Sequence, residues 1–129
     1  MIPTIRYGMR ILVVDDEPMV QFLLQQFLTD AGYEVDLANN GCEAVQYLQT
    51  CTYDLVLTDV HMPYMNGDTL VAWMRENRIP TPIVVMDSYP EAFLEKTPAE
   101  WVFAVLAKPF DLSEVRQILH QLGKVPLRR

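Results

Sequence analysis

Short apolar runs alternate with stretches of helical period along this chain, and that alternation limits the fold more than any other feature. Arg10–Val14 and Glu34–Ala38 are followed by runs within residues 55–58, 83–86 and 101–107, each halted by a polar residue. Runs this short, bounded by turn signals, read as strands of a buried parallel sheet. Between them Val20, Leu23, Leu24, Phe27 and Leu28 recur at helical spacing, as do Ala44, Val45 and Leu48, then Leu70, Val71 and Met74. Residues 90–96 predict a short fourth helix limited by Pro98, and Leu112, Val115, Ile118, Leu119 and Leu122 predict a fifth, closed by Gly123. Pro18 suits a first helical turn, where its missing N–H costs nothing, and Gly32 suits a C-cap. The third helix should end near Arg78. An order of βαβαβαβαβα implies an α/β fold, with one parallel sheet, helices on both faces and right-handed crossovers.

Length and charge narrow the function. At 129 residues, half of them hydrophobic, the chain reads as one domain over residues 9–123, with an N-terminal arm at 1–8 and a tail at 124–129. A net charge of −7 argues against binding nucleic-acid phosphates, which needs a basic face, and suits cations or basic partners. The apolar run at residues 11–14 is too short for a signal peptide or membrane span, so the chain reads as cytoplasmic. Cys42 and Cys51 form no CxxC. On one helix they would stand about 13–14 Å apart along the axis, beyond the roughly 7 Å reach of a disulfide.

The ends of the strands carry the chemistry. Asp15-Asp16 follow the first strand, Asp59 the third, Asp87-Ser88 the fourth and Lys108 the fifth. Parallel strands present all their carboxyl ends on one edge, where ligands of open α/β sheets gather. Converging carboxylates repel one another and titrate as a set. A hard cation relieves that repulsion, and an all-oxygen donor set suits Mg²⁺ better than zinc. Lys108 adds a point charge able to hold an anion beside the metal. A metal, a carboxylate nucleophile and a lysine are together what phosphoryl transfer to a carboxylate requires.

These residues resemble the receiver domains of two-component response regulators. The resemblance rests on Val13-Val14-Asp15-Asp16-Glu17, on Asp59-Val60-His61-Met62-Pro63-Tyr64-Met65-Asn66-Gly67, and on Lys108-Pro109-Phe110, in that order on those strand ends. It covers about residues 10–122. It implies a flavodoxin-like, three-layer fold with strand order 2-1-3-4-5 and phosphorylation of Asp59 by a histidine kinase or phosphotransfer protein. It further implies that Asp16 and Asp59 ligate Mg²⁺ directly, that Asp15 helps through water, and that the backbone carbonyl of His61 completes the protein ligands. Lys108 would pair with the phosphoryl group. The fourth helix, fifth strand and last helix would form the partner surface, where the apolar Val105 suits a constitutive or homodimer contact. As an enzyme, such a domain acts only on its own phosphoryl group.

Two positions depart from the family. Where receivers carry Ser or Thr at the end of the fourth strand, this chain has Asp87, with Ser88 one residue later. Three residues before the lysine, where the family places Tyr or Phe, stands Val105, with Phe103 expected on the same strand face. Both departures leave the acceptor and metal residues in place and alter the switch positions. They motivate an alternative, an interaction module that keeps the fold but switches atypically or without phosphate. A metal-dependent phosphatase is a further rival, disfavoured because its first-strand motif is Asp-x-Asp and this chain has Asp-Asp-Glu. Asp15 and Asp16 also suit a helix N-terminus, a role that leaves Asp59 and Lys108 unexplained. The rings of His61 and His120 are expected to face solvent, and Thr58 to pack.

Overall fold

The computed structural model describes residues 9–123; the arm and tail expected at 1–8 and 124–129 lie outside the described residues. Five strands, β1 (Arg10–Val14), β2 (Glu34–Ala38), β3 (Leu55–Asp59), β4 (Ile83–Asp87) and β5 (Ala104–Ala107), pair in parallel in the order β2-β1-β3-β4-β5. Five helices connect them: α1 (Pro18–Asp30), α2 (Gly41–Thr50), α3 (Gly67–Glu76), α4 (Pro90–Lys96) and α5 (Leu112–Leu122). This is the flavodoxin-like, three-layer α/β arrangement.

Alternation along the strands builds the two faces. Leu12 and Val14 of β1, Val56 of β3 and Ile83 and Val85 of β4 pack with α2, α3 and α4 through Ala44, Leu48, Leu70, Val71, Met74 and Phe93. Ile11, Val13, Leu55, Leu57, Val84 and Met86 pack the other way, against Leu24 and Leu28 of α1 and Val115, Leu119 and Leu122 of α5. Strands covered on both faces lose nearly all contact with water, which is why β1, β3 and β4 read as continuous apolar runs.

Two details correct the expectations, while α3 ends near Arg78 as expected. The C-cap of α1 is Ala31; Gly32 is the next residue, at φ +97°. Its N–H bonds the carbonyl of Thr29, and that of Tyr33 bonds Leu28, the paired hydrogen bonds of a Schellman turn. Arg78 ends α3 in the same way at φ +58°, a conformation that costs a residue with a Cβ. Phe103 does not share a face with Val105: it packs with the α1–α5 core, whereas Val105 packs with the opposite one. The reason is that β5 begins only at Ala104, after a 3-10 turn at Ala99–Trp101, and period-two alternation does not extend beyond the strand.

Candidate functional site

Each strand carries its last residue to the same edge of the sheet. Asp15 leaves β1 with its N–H on the carbonyl of Ala38, and its Oδ1 accepts from the N–H of Glu17 at 2.9 Å. That bond folds the start of the loop back over the strand end. Gln21 on α1 donates to the Asp15 carbonyl and to Oδ1 of Asn39, joining the exits of β1 and β2. Asp59 closes β3, and its Oδ1 accepts from the N–H of Val60 at 2.9 Å. α3 starts directly against this point. A Cβ on Gly67 would lie 2.3 Å from the Asp59 carbonyl oxygen, so only glycine lets the helix approach so closely.

Lys108 ties the edge together. Its Nζ lies 3.1 Å from Oδ2 of Asp15, 3.3 Å from Oδ1 of Asp59 and 3.6 Å from Oε1 of Glu17. The Lys108–Pro109 peptide is cis. One carboxylate oxygen from each of Asp15, Glu17 and Asp59 lies within 4.8 Å of the others. A six-oxygen shell at about 2.0–2.1 Å from Mg²⁺ spans distances of that order, and the donors are of the hard type this cation selects. The cluster is positioned to coordinate Mg²⁺. Asp16, expected directly on the ion, is exposed and stands outside this group, whereas Glu17, not among the expected ligands, stands inside it.

Burial sets the electrostatics. Asp15 is fully buried and Asp59 nearly so. Burial pushes the Asp15 carboxyl above its ordinary range despite the Glu17 N–H and Lys108. It also pushes Asp59 up, and the charge of Asp15 adds to that rise. Burial alone would lower the Lys108 ammonium, but the combined pull of Asp15 and Asp59 outweighs it and holds its pKa above the usual value. The site therefore holds more negative charge than one lysine neutralises, and a second cation would relieve it.

The remaining sequence positions divide. Asp87 turns inward at the end of β4 and is 2% exposed, whereas Ser88 is exposed. The ring of His61 is largely exposed, as expected, but its Nε2 lies 3.3 Å from Oδ1 of Asp87, a contact no spacing announced. Thr58 is buried and its hydroxyl donates to the carbonyl of Asp59 at 2.9 Å. Val105 is half-buried, His120 is exposed, and Cys42 and Cys51 are free thiols.

The sequence matches the family described as the response regulator receiver domain over residues 11–120. Among curated proteins, the transcriptional regulatory protein DltR of Streptococcus agalactiae is 38% identical over 66% of this chain and 38% of its own length. The regulatory protein AtoC of Escherichia coli is 35% identical over 87% of this chain and 24% of its own length. The chain thus spans well under half of these relatives. Among solved structures, the response regulator TrrA of Thermotoga maritima, in complex with Mg²⁺ and BeF, is 32% identical with a TM-score of 0.80, covering 88% of this chain and 98% of that one. The receiver domain of a Pseudomonas aeruginosa sensor histidine kinase, with magnesium in its active-site cleft, is 29% identical with a TM-score of 0.80, covering 90% and 98%. Sequence, sheet order and the lysine-centred carboxylate cluster agree: the chain belongs to the response regulator receiver domain family.

Proposed function

We propose that Asp59 is the phosphoacceptor of a two-component phosphorelay, that Asp15, Asp16, Asp59 and the carbonyl of His61 serve the metal, and that Lys108 pairs with the phosphoryl group. The carrying observation is the position of Lys108 Nζ, 3.1 Å from Asp15 and 3.3 Å from Asp59. An oxygen of Asp59 attacks the phosphorus of a phosphohistidine, the P–N bond breaks, and an acyl phosphate forms on Asp59. Mg²⁺ held by these carboxylates would supply charge that neutralises the phosphoryl oxygens. Lys108 pairs with one of those oxygens, and the Val60 N–H holds the carboxylate in place. Glu17 lies within the same oxygen cluster and is the added candidate for the ion, directly or through water. Residues 9–123 form the receiver unit in this reading.

The partner class is a histidine kinase or phosphotransfer protein, and the domain's own chemistry is limited to its phosphorylation and dephosphorylation. A protein donor must cover the rim of the pocket. Met19, Phe22 and Leu23 on α1, just beyond Asp15-Asp16-Glu17, are 77%, 63% and 46% exposed and suit that contact. Tyr89 before α4 and Leu94 on it are exposed and Val105 of β5 is half-buried, apolar surface that supports a homodimer through α4, β5 and α5. Sedimentation with and without beryllofluoride tests that part, and a strict monomer in both counts against it. Among the described residues no helix is long and apolar enough to cross a membrane, in keeping with a cytoplasmic site of action.

A second reading has its own observation. Asp87 is buried where the family keeps a hydroxyl, which favours a module that switches atypically or without phosphate. Labelling with a radioactive phosphate donor, with Mg²⁺ present and then removed by chelation, decides between the two. Mg²⁺-dependent, acid-labile label supports the phosphoacceptor; no label under either condition supports the interaction module.

A further inference from the structure

Asp87 is 2% exposed, and its Oδ1 has no aligned hydrogen bond. An ionised carboxylate only accepts hydrogen bonds, and a buried acceptor left without a donor is costly. A polar group from another element stands close to it. His61 stands two residues beyond Asp59 in the loop before α3, and its side chain is 74% exposed. Although free to face water, the ring leans back so that Nε2 lies 3.3 Å from Asp87 Oδ1. The contact is not aligned as a hydrogen bond as it stands; a turn of the imidazole, with its proton on Nε2, would make it one.

The pair sits beside the acceptor. Asp59 is in register with Met86 in the parallel pairing of β3 and β4, so Asp87 follows at the next position of the adjacent strand. A phosphoryl group on Asp59 adds close to two negative charges. A serine or threonine would donate a hydrogen bond to that group, whereas a carboxylate repels it unless held away or covered.

We propose that His61 is a positioning residue for phosphoryl transfer: its imidazole holds the Asp87 carboxylate away from the phosphoryl group on Asp59, and the two side chains together replace the missing hydroxyl. This rests on the reading of Asp59 as phosphoacceptor. His61 acts through Asp87, so its contribution depends on which residue occupies position 87. A merely structural or surface role would lack that dependence.

A double-mutant cycle tests it, with beryllofluoride as the probe in excess Mg²⁺ and binding read by fluorine NMR. His61→Ala should weaken binding about tenfold or more, the fold-change that a hydrogen bond to a charged group carries. In the Asp87→Thr background the same substitution should weaken it less than about twofold, a departure from additivity of the kind contacting residues show. His61→Gln, which keeps a donor, should restore most of the affinity that alanine loses. Asp87→Ser serves if the threonine variant fails to fold. Equal losses in both backgrounds, no loss in the natural one, or failure of glutamine to rescue would overturn the inference. A natural protein that binds no beryllofluoride would instead overturn the phosphoacceptor reading on which it depends.

Discussion

The two ends of the sheet treat buried charge in opposite ways. Toward the end where the strands begin, Asp36 and Asp54 each have a donor. Tyr53 donates to Asp36 at 2.6 Å, Arg10 lies 3.5 Å from the same oxygen, and Asp54 accepts from the Arg10 N–H at 2.8 Å. The Arg10 guanidinium also lies over the Tyr53 ring, 5.7 Å from its centroid. At the end where the strands finish, Asp15, Asp59 and Asp87 are buried, one lysine serves two of them, and Asp87 Oδ1 lacks an aligned hydrogen bond. The first end is satisfied and holds the fold together. The second is left in electrostatic excess, so a cation or a phosphoryl group changes its energy. Local conflict of this kind, kept where ligands bind, is what distinguishes a functional edge from a structural one.

Changes at the unsatisfied end should therefore move function most. Gly67→Ala drives a methyl into the Asp59 carbonyl, so it should cost about 3 kcal/mol of stability and displace the acceptor, with phosphorylation falling more than in any peripheral variant. Chemical denaturation and labelling read the two effects; a variant that keeps full labelling would break the link between α3 and the acceptor. Lys108→Ala removes the cation from among three carboxylates and should cost about 2–3 kcal/mol in the absence of Mg²⁺. Added Mg²⁺ should recover much of that loss, which thermal melts with and without the ion would show.

The pH response has a defined sign. Asp15 and Asp59 have folded pKa values raised above the ordinary 3.8, chiefly by burial, so the folded state binds protons more tightly than the unfolded chain. Between 3.8 and those raised values, the stability of the metal-free protein should fall as pH rises. Lys108, raised by its two carboxylates, contributes in the opposite region: its share is present below 10.5 and is lost as pH climbs through its folded value. Saturating Mg²⁺ should flatten the acid-side slope, and a slope unchanged by the ion would contradict a metal among these carboxylates. The smallest effect belongs to the satisfied end. Tyr53→Phe removes one hydrogen bond to Asp36 and should cost about 1 kcal/mol while leaving phosphorylation unchanged.

The sequence carried the sheet well, because alternation and abrupt polar stops are properties of single strands. β1 and β2 lie where Arg10–Val14 and Glu34–Ala38 were expected, and the convergence of Asp15, Asp59 and Lys108 follows from parallel strands alone. What stayed hidden depends on loop backbone. The place of Glu17 in the cluster arises where its N–H binds Asp15, a turn that no periodicity encodes. The His61–Asp87 contact joins the loop after β3 to the end of β4 by tertiary placement. Arg75 donates to the carbonyls of Ile79, Thr81 and Trp101 and so ties the end of α3 to the approach to β5. The only sequence signal for that role was an arginine in the last turn of a helix followed by two prolines.

The most direct test of the unsatisfied edge as a phosphoacceptor compares the natural protein with Asp59→Asn, labelled from a small-molecule phosphate donor in Mg²⁺ and then melted without metal. Asparagine keeps the oxygen that accepts from Val60 and removes a buried charge whose pKa burial has raised. Acid-labile label should appear on the natural protein and vanish from the variant, whose metal-free melting temperature should be equal or higher. Label that persists on Asp59→Asn, or a variant that loses its fold, would contradict the assignment.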